Sequence, residues 1–314
     1  MANEVTNALL VSNGGREALM IVQNMLDQPV YDAADFRNLM IEVPWSLIGT
    51  ATANITIDAV PGAFAAASSE TSGGISNSAY TTSNYSLTIA PYRKQYQMSD
   101  LFALTGGVVD PGTLLRKLQQ GEGLTYTDLL NALYPSITQS VSDTGQDLTV
   151  DDIYTAMFTL NAANVEIGAG MELVADLSPV HFNNFQASLR GETGAVQFRD
   201  DTQQMLMAKS IGYKGMWNGI AFYQCDSKAS ANSAADAVSC LFTRGAFKYT
   251  MGDASALAQA NMIAPGNVLL ASRSLVLELS RDASNGLSTA VGHMYPAVAI
   301  ANATKAVKLV FGIS

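Results

Sequence analysis

A long polar stretch between two strand-like segments constrains this chain more than any other feature of its sequence. The flanking segments, ITIDAV from Ile55 and YSLTIAPYRKQYQMS from Tyr85, have the composition and alternation of strands. Between them, AAASSETSGGISNSAYTTSN is small and polar, and too hydrophilic to pack into a core of its own. No Lys or Arg occurs from Asn38 to Tyr92. The pattern predicts an extended loop over residues 39–98, built from two long strands joined by a polar tip.

The composition indicates that other copies of the chain cover much of its surface. Of the 314 residues, 48% are hydrophobic and only 14% are charged, whereas soluble domains average about 25% charged residues. Interface cores are depleted of charge in the same way. The net charge of −10 argues against sequence-specific DNA binding, which gains from basic residues. No apolar run reaches the ~20 residues of a membrane span, and the N-terminus lacks signal-peptide features, so we expect synthesis in the cytoplasm.

The segments around the loop have separate characters. Residues 1–38 resemble an arm that contains one helix. In residues 99–148, Asp110 and Pro111 predict the start of a helix, which Gly121 and Gly123 are predicted to interrupt. A strut helix is expected over Thr127–Val141, capped by Thr127 and kinked at Pro135.

Residues 149–265 have the pattern of a compact α/β unit. Thr149 and Asp152 resemble a capping box. An amphipathic helix follows, with apolar residues at Ile153, Ala156, Met157 and Leu160. MELVADLS, NGIAFYQC and AVSCLF are predicted strands, and a helix is expected to start at Pro179. Residues 266–314 are rich in predicted strands, the last of which alternates at Val307, Leu309 and Phe311.

No set of residues in the sequence predicts catalysis. P-loop and G-x-S-x-G motifs are absent, and the only histidines, His181 and His293, are interpreted as structural residues. Four aspartates (Asp143, Asp147, Asp151 and Asp152) could hold calcium, but their spacing is not that of an EF-hand. A solvated turn before a helix N-terminus is the favoured interpretation. We therefore expect no enzyme, no metal site and no cofactor.

The two cysteines, Cys225 and Cys240, each lie in a short apolar run. We expect buried thiols, because a reducing cytoplasm keeps cysteines reduced. A disulfide across two neighbouring strands is the alternative.

The order of arm, loop, helix, α/β unit and returning strands resembles the major capsid proteins of tailed bacteriophages, which share the HK97 fold. SLTIAPYRKQYQMSD resembles the second strand of the family's extended loop. DLTVDDIYTAMFTLNAANV and MELVADLSPVHFNNFQASLRG resemble the first helix and the following strand and helix of its axial domain. YKGMWNGIAFYQCD and VSCLFTRGAFKYTMG are similar to later axial strands, and the C-terminal residues from SLVLELS onward resemble the closing strands of the peripheral domain. The resemblance covers about residues 40–314.

The resemblance implies an α+β, HK97-like capsid fold with five parts. These are an N-terminal arm (1–38), an extended β-hairpin loop (39–98), a peripheral domain with a long spine helix (99–148), an axial α/β domain (149–265) and the return strands of the peripheral domain (266–314). It implies a structural protein that self-assembles into pentamers and hexamers of an icosahedral head, located in the virion.

The resemblance also implies partners and contact residues. Packaged double-stranded DNA, without sequence specificity, a portal, and separate scaffold or cement proteins are expected, and no membrane. Some family members form an isopeptide cross-link from a Lys in the loop. This loop has none, so we expect noncovalent cohesion or a cement protein. Glu70 in the loop, and Arg93 and Lys94 at its exit, are predicted to form ion pairs between subunits, with a solvated surface as the alternative.

Two other interpretations stay open at the level of the sequence. An encapsulin-like nanocompartment shell shares the fold but needs a cargo-binding pocket. A cytoplasmic α/β enzyme with a carboxylate-only site would have a deep polar cleft, although the long polar stretch disfavours a compact domain of that kind.

Overall fold

The structure is a computed structural model that describes residues 35–45, 51–58, 82–99, 111–162, 173–191, 212–226, 228–252, 268–271, 274–282 and 287–313. The statements below concern those residues.

Three α-helices and sixteen strands make up the regular structure of the described residues, with four short 3₁₀ turns. The helices are α1 (Pro111–Leu133), α2 (Val150–Ala162) and α3 (Pro179–Gly191). The strands are β1 (Ile41–Glu42), β2 (Thr52–Asp58), β3 (Thr82–Thr88), β4 (Tyr92–Ser99), β5 (Ser140–Ser142), β6 (Leu173–Leu177), β7 (Tyr213–Trp217), β8 (Ile220–Gln224), β9 (Ala229–Ala231), β10 (Asp236–Thr243), β11 (Phe247–Met251), β12 (Val268–Ala271), β13 (Val276–Asp282), β14 (Leu287–Met294), β15 (Pro296–Ile300) and β16 (Ala306–Gly312). The 3₁₀ turns cover Phe36–Leu39, Tyr134–Ser136, Asn232–Ala234 and Ala303–Lys305.

A seven-stranded mixed sheet forms the centre of the molecule. Its main path runs β5-β16-β10-β6-β8-β7, and β9 pairs with part of β10. Strand β10 is antiparallel to both β16 and β6, whereas β6 and β8 run parallel. Every residue of β10 and of β6 is buried, as expected for strands covered on both faces.

Helices cover both faces of this sheet. On one face, α1 contributes Tyr126 and Leu130 to a cluster that includes Phe36, Phe242 and Phe247. On the other face, apolar residues of α2 and α3 pack against side chains of β6, β8, β10 and β16. The central part of the fold is therefore a three-layer α/β/α arrangement with one apolar cluster on each side of the sheet.

Smaller sheets surround this core. One has the order β12-β13-β14-β4, another has the order β1-β11-β15, and β2 pairs with β3. The β2–β3 pair is antiparallel from Thr52 opposite Thr88 to Asp58 opposite Thr82. This pairing confirms the hairpin predicted for the extended loop, while its predicted tip lies outside the described residues.

The single strand predicted from Tyr85 onward is two strands. β3 ends at Thr88 and pairs with β2, and β4 begins at Tyr92 and pairs with β14. Pro91 lies between them, and a proline has no N–H to contribute to a ladder. The break lets the chain leave the hairpin and join a different sheet.

The prediction of a helix over Thr127–Val141 is wrong. Helix α1 runs from Pro111 to Leu133 without interruption at the two glycines, and β5 occupies Ser140–Ser142. Thr127 is not a cap, because its hydroxyl donates to the Gly123 carbonyl one turn earlier. The helix ends two residues before Pro135, which cannot continue a helix.

Other local predictions are confirmed. Asp152 accepts hydrogen bonds from the N–H and the hydroxyl of Thr149, at 2.9 and 2.6 Å, as a capping interaction requires. Ile153, Ala156 and Leu160 are fully buried. Helix α3 starts at Pro179, and both cysteines are buried thiols.

The seven-stranded sheet extends past the boundary predicted at residue 265. Ala306–Gly312, assigned by sequence to the return strands, forms β16 beside β10 in the centre of the sheet. Val307, Leu309 and Phe311 point into one cluster, as their alternation predicts. At the other end of the chain, Phe36, within the predicted arm, is completely buried. None of the described helices has the length and apolar character needed to cross a membrane.

Two phenylalanines provide a test of this core. Phe311→Ala removes a side chain with 0% exposure from the centre of the sheet, so we expect a loss of about 3–5 kcal/mol in the free energy of unfolding. The matched control Phe158→Ala removes a side chain that is 73% exposed and should stay within about 0.5 kcal/mol. Denaturant titration of the unassembled protein measures both, and equal losses would contradict the assignment of the core.

Candidate assembly surfaces

Strand β4 is an open edge of its sheet. It pairs with β14 over its whole length, from Tyr92 opposite Met294 to Ser99 opposite Leu287, and no other described strand pairs with it. The side chains of Tyr92, Arg93, Lys94, Gln95 and Gln97 are exposed. An open strand edge presents unpaired N–H and C=O groups to any strand that can add to it.

Arg93 and Lys94 lie on this edge, beside a cleft of about 280 Å³ between β4 and α1. The Lys94 side chain extends toward Gly121, and its Nζ lies 5.8 Å from the centre of the Tyr96 ring. Among the described residues, neither Arg93 nor Lys94 forms an ion pair within the chain. Glu70, the third predicted contact residue, lies outside the described residues.

An ion pair that the sequence analysis did not identify joins the start of the described chain to α1. Arg37 donates to Glu122 at 2.8 Å and to both carboxylate oxygens of Asp35, and its guanidinium lies 5.3 Å from the centre of the Tyr126 ring. Glu122 is only 5% exposed. Burial raises the pKa of Glu122, and the attraction of Arg37 opposes that shift.

Gly123 allows this approach. A Cβ placed on Gly123 would lie 3.1 Å from Cβ of Asp35, closer than ordinary side-chain contacts. Gly123, which the sequence predicts to interrupt the helix, is therefore the position where the arm meets α1. Arg37 is the last basic residue before the long stretch without Lys or Arg, and that position was the one sequence signal that could have identified it.

Helix α2 presents an aromatic surface to solvent. Phe158 is 73% exposed and Tyr154, one turn earlier, is 47% exposed. Tyr154 packs edge-on against Trp217 at 5.4 Å, and Trp217 in turn contacts Phe185 in the core. Trp217 therefore links this surface, formed by Tyr154 and Phe158, to the apolar core, and both side chains are accessible to another chain.

The two histidines are occupied by structural contacts. His181 is fully buried between Ser239 Oγ, at 2.8 Å from Nδ1, and the Phe311 carbonyl, at 3.1 Å from Nε2. Burial lowers the pKa of His181, which favours the neutral ring. His293 contacts Glu278 at 3.1 Å.

Two of the four clustered aspartates also form structural contacts. Asp152 caps α2, and Asp147 accepts a hydrogen bond from Asn184 at 2.7 Å. Within the described ranges, no three His, Cys, Asp or Glu residues are grouped so as to hold a metal ion.

The fold is that of phage capsid proteins. No family model and no curated protein sequence matches the chain, but many solved structures do. The capsid of Ralstonia phage GP4 matches with a TM-score of 0.64 at 9% identity, covering 91% of this chain and 92% of that one. The head of Helicobacter pylori bacteriophage KHP40 matches with a TM-score of 0.60 at 9% identity, covering 92% and 91%.

A virus-like particle from Pyrococcus furiosus is also similar, with a TM-score of 0.53 at 9% identity over 93% of this chain and 99% of that one. At such low identity these likenesses establish a shared fold. They confirm the α+β, HK97-like fold that the order of sequence segments predicts.

The Arg37–Glu122 pair gives a prediction with a defined pH dependence. Arg37→Met leaves a buried carboxylate without its cation, which we expect to lower the free energy of unfolding by about 3 kcal/mol at neutral pH. The pKa of Glu122 in the folded state is already raised and should rise further. The loss in the free energy of unfolding should therefore be small near pH 4, where the carboxyl group is protonated. It should grow as the pH rises through the folded-state pKa, because the unfolded chain ionises more readily than the folded protein.

Denaturant titrations of the unassembled protein across this pH range measure the effect. In the double variant Arg37→Met/Glu122→Gln the carboxylate is gone, so most of the pH-dependent part should disappear. A loss that is independent of pH would show that Glu122 does not need its cation.

Proposed function

We propose that this chain is a major capsid protein that self-assembles into the pentamers and hexamers of an icosahedral phage head. The observation that carries the proposal is the shared fold over about nine-tenths of both chains with phage capsid structures. A match over about nine-tenths of both chains is longer than the α/β core alone, so the likeness is not confined to that core. The role is structural rather than catalytic.

The exposed features of the single chain support this proposal. An open β4 edge and the aromatic surface of α2 are liabilities for a protein that stays monomeric. Both surfaces would be stabilised where neighbouring copies of the chain cover them. The low content of charged residues agrees with extensive interfaces.

The proposed partners are packaged DNA and separate structural proteins, and the proposed location is the virion. The net charge of −10 keeps attraction to packaged double-stranded DNA weak, which suits a container that must release its contents. Portal, scaffold and cement proteins would be separate chains. The protein would be made in the host cytoplasm and reside in the virion.

An encapsulin-like shell is the second candidate, because the Pyrococcus furiosus virus-like particle shares the fold. Its TM-score of 0.53 is lower than the 0.64 of the phage GP4 capsid, so it is not the better supported of the two. The contents of particles isolated from the native source would separate these candidates, since a phage head holds DNA and a nanocompartment holds a cargo protein.

Electron microscopy of the purified chain tests the proposal directly. We expect closed shells, or sheets of five- and six-membered rings, either from the protein alone or after addition of a crowding agent or a co-expressed scaffold. Particles of single-chain size under all of these conditions would argue against a shell protein.

Charge reversal at the exit of the loop tests the predicted contact residues. In Arg93→Glu/Lys94→Glu we expect assembly to need a higher protein concentration, by about fivefold for each ion pair worth ~1 kcal/mol. The effect should shrink at high salt. The control Arg190→Glu/Lys214→Glu changes the net charge equally at two exposed residues on other elements. Equal effects of the two pairs on assembly, measured by light scattering, would assign the loss to net charge alone.

A further inference from the structure

A buried polar cluster in the core has a geometry suited to chemistry within the chain. We call Asn131, Tyr134, Asp176 and Lys228 the Lys228 cluster. Nζ of Lys228 donates to Oδ1 of Asn131 at 2.9 Å and forms an ion pair with Oδ2 of Asp176. The Tyr134 hydroxyl donates to the same Asp176 oxygen at 2.7 Å. An amine, a primary amide and a carboxyl group therefore meet at one point.

The cluster is closed from water. The side chain of Lys228 is 2% exposed, Asn131 is 2% exposed and Asp176 is 0% exposed. Two aromatic rings enclose the amine, with their centres 5.2 Å (Tyr134) and 6.0 Å (Phe36) from Nζ. In such surroundings the neutral form of a carboxyl group is favoured over the charged form.

The carboxyl group is placed to move a proton. Burial raises the pKa of Asp176, an effect opposed by Lys228 and by the hydrogen bond from Tyr134. Its second oxygen, Oδ1, is buried and has no hydrogen-bond partner among the described residues. Burial also raises the pKa of Tyr134 and of Cys240, so neither competes as a charged base.

We propose that Lys228 and Asn131 form an intramolecular isopeptide bond, with Asp176 as the group that transfers the proton. The carbonyl oxygen that Nζ contacts at 2.9 Å is bonded to the carbon that the amine would attack. Holding an amine in contact with an acyl group turns a reaction between two molecules into a step within one chain.

The reaction balances without any added reagent. Asp176 first takes a proton from the Lys228 ammonium, which leaves a neutral amine. The nitrogen lone pair attacks Cγ of Asn131, a C–N bond forms, and the carbonyl π electrons move onto Oδ1. A proton passes from Nζ through Asp176 to the Asn131 nitrogen. The carbonyl re-forms, the bond to Nδ2 breaks, and ammonia leaves with that electron pair, so the products are a secondary amide, ammonia and protonated Asp176.

Asn131, rather than Asp176, is the acyl group in this proposal. The amide carbonyl accepts the hydrogen bond from Nζ, which polarises it, whereas Asp176 is needed to carry the proton. The Asn131 nitrogen contacts Cys225 Sγ at 3.7 Å, so the carbonyl side of the amide faces Lys228.

Lys308 provides a natural comparison. Its Nζ also donates to a carbonyl, that of Pro135, at 3.0 Å. That contact is exposed and involves a peptide carbonyl, so we expect no bond there.

Intact-mass measurement of the denatured full chain is the deciding experiment. We expect the wild-type protein to be lighter than its sequence by the mass of one ammonia molecule. After tryptic digestion, residues 118–190 should be joined to residues 215–244, with Lys228 uncleaved. A full-length mass equal to that of the sequence overturns the proposal, and so does a deficit confined to a single tryptic peptide.

Variants assign the roles of the three residues. Lys228→Met and Asn131→Leu should each restore the full mass, and Asp176→Asn should do so while keeping both reacting groups. Lys308→Met should keep the deficit of one ammonia, as a control for the loss of a lysine. An Asp176→Asn protein with the complete deficit would remove the proton-transfer role, and the wild-type mass decides the bond itself even if a variant fails to fold. None of these outcomes depends on whether the protein assembles.

Discussion

The pairing of β10 with β16 is the interaction on which the rest of the structure depends. These two strands are matched over seven residue pairs, from Asp236 opposite Gly312 to Phe242 opposite Ala306. Their side chains alternate between the two apolar clusters, so one strand pair forms the floor for α1 on one face and for α2 and α3 on the other. The buried ring of His181 joins the pair from one side by contacting Ser239 and the Phe311 carbonyl. A strand near the C-terminus therefore completes a core that begins with Phe36.

The elements outside this core have a different physical character. In the hairpin β2–β3, Tyr85 and Leu87 are buried beside Ala297 of β15, whereas most other described side chains of the hairpin and of the edge strand β4 are exposed. The α/β/α centre can hold these elements in position while most of their side chains stay accessible. This arrangement suits the proposed role as a shell subunit, in which the periphery would contact neighbouring copies.

Sequence reasoning succeeded where local physics decides the structure. The capping residues Thr149 and Asp152, the apolar spacing of α2 and the alternation of β16 are local signals, and the structure follows them. It placed the start of α1 at Pro111 correctly but missed the continuity of the helix, because Gly121 and Gly123 have low helix propensity. Only the contact with Asp35 explains the glycine at position 123. The Arg37–Glu122 pair spans 85 positions, and the sheet position of β16 depends on partners far away in sequence. Arg93 and Lys94 were chosen for their place at the exit of the loop, and their contact with a neighbouring subunit stays a prediction.

The Lys228 cluster bears on why a core of this kind contains charges at all. Removing an ammonium and a carboxylate from water has a large desolvation penalty, and apolar residues of similar volume often stabilise a protein as well or better. Stability alone gives little reason to place Lys228 and Asp176 beneath Phe36 and Tyr134. Amide formation would resolve this conflict, because ammonia would leave and both buried charges would disappear. Oδ1 of Asp176 is buried without a hydrogen-bond partner, which is unfavourable for a carboxylate in an ion pair. After the reaction this oxygen would be the position that holds the proton.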